Sequence, residues 1–130
     1  MTTPLAADRA ALVDALTATL TGWQITPAEV EQPRPPLATI APGDPWVRST
    51  DTDLTWLEDL VTWRVRLIVT PGPALAVLDR LIHAVDLIRA STIAHTWTIG
   101  DITSPMTLVV SDSLALPSTS LTLTRPIPRS

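Results

Sequence analysis

The chain contains no cysteine, and this absence removes several classes of chemistry at once. Without thiols there is no disulfide, no thiolate nucleophile and no zinc site built on cysteine. Glycine is scarce as well, with four residues in 130. The sequence holds no glycine-rich phosphate loop and none of the HExxH, GxSxG or P-loop patterns of common enzymes. We therefore predict a protein that is not an enzyme and that has no cofactor, metal or catalytic residues.

Lysine, asparagine, phenylalanine and tyrosine are also absent, so all nine basic residues are arginine and five tryptophans supply the large aromatic side chains. A GC-rich genome would produce this bias, because the codons of the missing residues are rich in A and T. Selection of arginine at interfaces, where guanidinium groups stack and pair well, is the alternative. The net charge is −4 and the pI is near 4.9, whereas domains that bind nucleic acid are usually basic.

Long apolar runs are missing too. No window approaches the roughly 20 apolar residues that a membrane-spanning helix needs. The amino terminus, Met1 to Pro4, lacks the basic start and apolar run of a secretory signal peptide. With 130 residues, of which 45% are hydrophobic, the chain is expected to form one soluble domain, residues 1–130, with its own core and no membrane contact.

Two helices are predicted from the spacing of apolar residues. The first runs from Thr3 to Leu20, with Thr3 as its cap and Asp8 on its solvent-facing side. The second runs from Ala74 to Ala90 and carries a broad apolar stripe, which we expect to be buried. That stripe comprises Leu75, Leu78, Leu81, Ile82, Val85 and Ile88.

The segment from Val61 to Thr70 alternates apolar and polar residues and predicts a β-strand. Its Trp63 side is expected to face the core, and its opposite side carries Arg64 and Arg66. That second side must be solvated or meet a partner. Shorter β segments are predicted at Trp23–Thr26, Leu37–Ile40 (at an edge), Thr96–Ile102, Met106–Ser111 and Thr119–Arg125.

Proline dominates the segment between these patterns. Six prolines lie from Pro27 to Pro45, and proline cannot donate to the hydrogen-bond ladder of a central strand. We therefore predict a long proline-rich loop at about residues 27–53, with Trp46 to Arg48 as at most a strand fragment. A loop of this length in a compact domain is usually functional or ordered by a partner.

One group of titratable residues resembles a reactive site. His83 lies between Asp79 and Asp86 on the second helix, at a spacing that could orient an imidazole or bind a metal. The same spacing is typical of a solvated helix face with local ion pairs, and His95 is the chain's other histidine. We interpret the group as a solvated face.

The candidate interface residues are a set of tryptophans, arginines and aspartates. Tryptophan is enriched at the energetic centres of interfaces, although a tryptophan can equally fill the core beneath a loop. The arginines of the predicted strand either line a wet sheet face or meet carboxylates of a neighbouring subunit. The set is Trp46, Arg48, Asp51, Asp53, Trp56, Arg64 and Arg66.

The order of five segments carries a resemblance to a known family. They are Pro35–Ile40, Trp63–Val69, Ala76–Val85, Trp97–Ile99 and Leu121–Thr124, behind an amino-terminal helix. In this order the chain resembles the minor tail proteins of long-tailed bacteriophages, and most closely the tail terminator (tail completion) family. The resemblance extends from about Leu5 to Pro126.

The resemblance implies both a fold and a role. The fold would be α/β in the broad sense (α+β): a small, mainly antiparallel sheet with two helices packed on one side. Subunits would form a hexameric ring that caps the tail-tube protein and joins it to the head-completion proteins in the virion, at the head–tail junction. Genomic DNA would pass through the lumen without sequence-specific binding. The family contributes no catalytic residue.

Two alternatives stand beside this interpretation. Another head–tail connector, a stopper or an adaptor, shares the size and the ring habit, but it should bind portal-side rings in place of the tail tube. A small ligand-binding or enzymatic domain should instead hold convergent polar groups in a pocket, for which His83 and His95 are the candidates.

Overall fold

The computed structural model of the chain describes residues 3–28, 33–49, 58–111 and 114–128. Within these ranges the chain forms three helices and six strands. In chain order they are α1 (Pro4–Thr19), β1 (Gln24–Thr26), β2 (Leu37–Ser49), β3 (Glu58–Ile68), α2 (Ala74–Arg89), α3 (Ile93–Thr96), β4 (Thr98–Ile102), β5 (Met106–Ser111) and β6 (Leu114–Pro128).

The described strands form one sheet in the order β1-β2-β3-β6-β4, with β5 also paired to β6. All pairings are antiparallel except that of β1 with β2. The helices pack against one side of this sheet, so the predicted α+β class is confirmed. The short helix α3, which begins shortly after α2 ends, was not predicted.

The core lies between the sheet and the two long helices. The alternation predicted for β3 holds, because Trp63, Val65 and Leu67 are all buried on the helix side. They meet Leu12 and Leu16 of α1 in one continuous cluster. Long antiparallel pairing with β6, from Glu58↔Pro128 to Ile68↔Ser118, holds β3 at the centre of the sheet.

The first helix begins as its sequence predicts. The Thr3 hydroxyl accepts a hydrogen bond from the Ala6 amide at 3.3 Å, which satisfies one of the amide groups that lack a partner in the first turn. Pro4 follows directly, where its missing N–H costs nothing. The second helix begins at Pro73 without a side-chain cap.

The proline-rich segment differs from its prediction. Residues 37–49 form the long strand β2, although only Leu37–Ile40 was predicted as strand within this loop. Strand β2 pairs with β3 over Leu37–Pro42 and again over Val47–Ser49. The prolines are accommodated because the register shifts between Pro42 and Val47, and such bulges tolerate proline. The segment Leu37–Ile40 is not at an edge over its first residues, since β1 pairs with Leu37 to Thr39 on the other side.

The carboxyl-terminal prolines also belong to the sheet. Pro117 lies within β6, where its carbonyl accepts the Val69 amide at 3.1 Å. Pro126 and Pro128, which follow the last predicted β segment, pair with Leu60 and Glu58. Proline is tolerated here because each pair still leaves carbonyl oxygens available as acceptors.

Candidate functional site

Helix α2 exposes much of the apolar stripe that was predicted to be buried. Leu81 and Ile88 are buried, at 2% and 0% exposure, but Leu75 is 70% exposed, Leu78 40% and Ile82 47%. The prediction was wrong because the stripe is wider than the row of residues that rests on the sheet and on α1. Only a fraction of the helix surface can touch a single packed layer. An apolar row therefore stays in contact with water in the isolated chain.

Leu78 and Ile82 of this row belong to one wall of a cleft. The opposite wall is formed by Ile102 at the end of β4 and by Thr103 and Pro105 of the β4–β5 connection, and Thr119 of β6 contributes from the sheet. The cleft has a volume of about 280 Å³. Its rim carries one acidic and one basic side chain, Asp86 and Arg89. We call this region the α2 cleft: Leu78, Leu81, Ile82, Val85, Asp86, Arg89, Ile102, Thr103, Pro105 and Thr119.

A second apolar surface lies at the register shift of β2. Four residues of β2, Gly43 to Trp46, stand opposite the single residue Thr62 of β3. A Cβ at Gly43 would lie 2.7 Å from Thr62 Cγ2 and 2.8 Å from its carbonyl oxygen, so the chain passes too closely for any other residue. The bulge presents Trp46 at 40% exposure and Val47 at 39%.

Trp46 both packs against the core and remains partly exposed, so it combines the two roles that the sequence left open, core filler and interface anchor. One edge of its ring packs against the buried Trp63, with the ring centroids 5.8 Å apart and the planes at 63°, which is the edge-to-face arrangement that aromatic pairs favour. The remaining surface faces water, and exposed Asp44 and Arg48 flank it along the chain. We call Asp44, Trp46, Val47 and Arg48 the β2 bulge patch.

Of the other predicted interface residues, the structure describes only Arg64 and Arg66. Asp51, Asp53 and Trp56 lie outside the described residues. Arg64 is exposed and Arg66 is half-buried on the side of β3 away from the helices.

That side of β3 is not entirely open. Ile68, which shares it with the two arginines, is buried in a small cluster with Leu37 and Leu116, and Leu108 packs against this cluster. The expectation of a wholly solvated or partner-facing side was therefore wrong near Ile68. The β5–β6 hairpin supplies the cover, because its apolar residues lie over the end of β3.

The sequence reasoning missed a buried polar cluster. Asp8, expected on the wet side of α1, is 2% exposed. Its Oδ2 accepts a hydrogen bond from Trp63 Nε1 at 2.7 Å, and its Oδ1 accepts from Arg125 in a salt bridge. The Arg125 guanidinium also lies over the ring of Trp97, 4.2 Å from its centroid. Spacing could have found Asp8, because it precedes the buried Leu12 and Leu16 by one and two helical repeats of four.

This cluster joins the two ends of the described chain. Asp8 belongs to the first helix and Arg125 to the last strand, while Trp63 contributes from the central strand. A buried carboxylate is tolerated because it is paired and hydrogen-bonded. The arrangement ties α1 to the central and last strands of the sheet through a carboxylate that is 2% exposed.

The residues around His83 lie on an exposed face of helix α2. Asp79, His83 and Asp86 are all exposed on α2. Across the described parts of the chain, no three His, Asp or Glu side chains lie close enough together to hold a metal ion. Within the same ranges, no helix is long and apolar enough to cross a membrane.

Comparison with known proteins gives no further guide. No family model matches the chain, and a search of curated proteins finds no significant match.

Proposed function

We propose that this protein is a structural virion component, a tail terminator whose subunits form a ring, expected to be a hexamer, that caps the tail tube. The observation that carries the proposal is the exposed apolar row of α2. Leu75, Leu78 and Ile82 leave a large apolar area in contact with water, and such surfaces mark sites of protein association. The order of elements that resembles the terminator family supplies the particular assembly.

The separation of the two apolar surfaces supports a ring in particular. A closed ring requires two different, complementary surfaces on each subunit, whereas a two-fold dimer requires one. The α2 cleft includes Ile102 of β4, and the β2 bulge patch lies on the far side of β3 and β6. The chain thus has two apolar surfaces that are separated across the width of its sheet.

The charge of the chain suits a passage for DNA. A wall that binds phosphates would retard the genome, so weak or repulsive contact favours transit. The net charge of −4 is consistent with such a wall. In this proposal the head-completion proteins bind the face of the ring opposite the tube.

The experiment is a mass measurement by light scattering, on the purified protein alone and after mixing with the tail-tube protein of the same phage. We expect a complex that contains six copies of the 14.0 kDa chain and that caps tube ends in electron micrographs. Ile82→Asp is the matched variant, and it should weaken ring formation. A chain that stays monomeric in both conditions would contradict the proposal, and binding to portal-side rings instead of the tube would identify a stopper or adaptor.

A further inference from the structure

The β2 bulge patch and the α2 cleft differ in shape. The β2 bulge patch presents the side chains of Trp46 and Val47, at a point where β2 contains three more residues than the stretch of β3 opposite it. The α2 cleft is concave, and its volume of about 280 Å³ lies just below the roughly 300–1,000 Å³ of small-molecule pockets. A cleft of this size suits one or two large side chains, and its exposed apolar wall suits an apolar occupant.

The two surfaces also match in charge. The β2 bulge patch carries Asp44 and Arg48 beside its apolar pair, and the α2 cleft carries Asp86 and Arg89 beside its apolar wall. Each surface thus offers one carboxylate and one guanidinium. In one docking orientation Arg48 meets Asp86 and Asp44 meets Arg89, so both charges at the rim find an opposite partner.

The positions of the surfaces prevent them from meeting within one chain. Strands β3 and β6 separate β2 from β4, which places β2 and β4 about 14 Å apart at the usual strand spacing. Both surfaces lie on the helix side of the sheet, since Trp46 packs on the core residue Trp63 and the cleft is bounded by α2. A second copy, displaced sideways along the sheet, can bring one surface against the other.

We infer that copies of this chain associate head to tail, with Trp46 and Val47 of one copy seated in the α2 cleft of the next. This inference rests on the proposed ring and names the two surfaces that form it. Trp46 is the expected anchor, because a partly exposed indole that docks in an apolar cleft contributes much of the binding at an interface. Repetition of one heterologous contact generates a ring when the rotation closes.

The test uses two variants that each damage one surface. Trp46→Ser removes the anchor and leaves the cleft intact, whereas Ile82→Asp places a charge in the cleft and leaves the anchor intact. Each alone should dissociate at a concentration at least tenfold higher than the unmodified chain. Mixed in equal amounts they should form dimers and nothing larger, because each pair retains one intact contact. Val109→Asp, at a site 71% exposed and outside both surfaces, is the control and should associate normally.

A second pair of variants covers the case in which Trp46→Ser fails to fold, since Trp46 also supports Trp63. Arg48→Asp and Asp86→Arg change exposed residues and reverse one charge on each surface. Either alone should weaken association, because like charges then meet at every contact. Their mixture should restore the full assembly, because copies of the two variants can alternate, with Arg48 meeting Asp86 at one contact and the two reversed charges meeting at the next.

The outcomes separate this inference from the proposed function. If the unmodified chain forms rings but mixtures of the damaged variants stay monomeric, the ring stands and these two surfaces do not form it. If Trp46→Ser associates normally and only Ile82→Asp fails, the cleft pairs with another part of the chain or with its own copy, and the inference is overturned. If the unmodified chain remains monomeric even with the tail-tube protein, both statements fall.

Discussion

Helices α1 and α2 have the same length of 16 residues, yet they depart from their sequence patterns in opposite directions. Helix α1 buries a charged residue, Asp8, that its pattern assigned to water. Helix α2 exposes apolar residues that its pattern assigned to the core. Periodicity thus identifies a helix, but the neighbours of that helix decide which residues are buried. In α1 the neighbours provide partners for a carboxylate, and in α2 they leave part of the stripe uncovered.

The largest expected effect tests the buried charge of α1. Asp8→Ala should lower the free energy of unfolding by about 3–5 kcal/mol, the range for breaking a buried ion pair. The loss arises because Trp63 Nε1 and the Arg125 guanidinium would both lose their acceptor. Denaturant titration followed by far-UV circular dichroism gives the value.

Asp14→Ala is the matched control for this change, because Asp14 is exposed on the same helix. It should alter stability by less than about 0.5 kcal/mol, as surface substitutions usually do. Asp8→Asn should fall between the two, since an amide oxygen can still accept from Trp63 but carries no charge for Arg125. Equal stabilities of the Asp8→Ala and Asp14→Ala proteins would show that the polar cluster does not fix α1.

The elements of this chain could be predicted from sequence where one local rule dominated. The alternation of β3 and the threonine cap of α1 each depend on a few neighbouring residues, and both are observed. Only the first part of β2, Leu37–Ile40, could be predicted, because the neighbouring prolines argued against a longer strand while the register shift that accommodates Pro42 and Pro45 depends on pairing with β3.

The site was harder to predict than the fold. Trp46 was recognised as a candidate from residue type alone, but its contact with Trp63 depends on the bulge. The salt bridge of Asp8 joins residues 117 positions apart in the chain, and no local pattern contains such a pair. The exposed row of α2 could not be foreseen because amphipathic spacing is the same whether the sheet or another subunit covers the helix.

The next comparison sets a buried residue of α2 against its exposed neighbour. Leu81→Ala should lower the free energy of unfolding by about 3 kcal/mol, because it leaves a cavity beneath a residue that is 2% exposed. Ile82→Ala should cost well under about 1 kcal/mol in dilute solution, since Ile82 is 47% exposed. Urea unfolding at a concentration where the chain is monomeric provides both values.

The order of the two variants should reverse when self-association is measured, with Ile82→Ala now having the larger effect. Ile82→Ala should weaken self-association in sedimentation experiments. A folded Leu81→Ala protein should be affected less, because Leu81 lies at the base of the α2 cleft with only 2% of its surface exposed, against 47% for Ile82. If dilute Ile82→Ala is as unstable as Leu81→Ala, then α2 buries its whole stripe within one chain, and the contrast with α1 disappears.

The smallest effect concerns the beginnings of the two helices. Thr3→Ala should cost about 1 kcal/mol, because the Ala6 amide loses the hydroxyl that accepts its hydrogen bond. Thr3→Ser keeps an acceptor at that position and should cost much less. Helix α2 has no such side-chain bond at Pro73, so its start depends on packing and on backbone hydrogen bonds such as that from the Val77 amide to the Pro73 carbonyl. Amide hydrogen exchange should therefore show that Thr3→Ala raises opening in the first turn of α1 while leaving α2 unchanged. Faster exchange in both helices would mean that the start of α1 is coupled to α2 through the core they share.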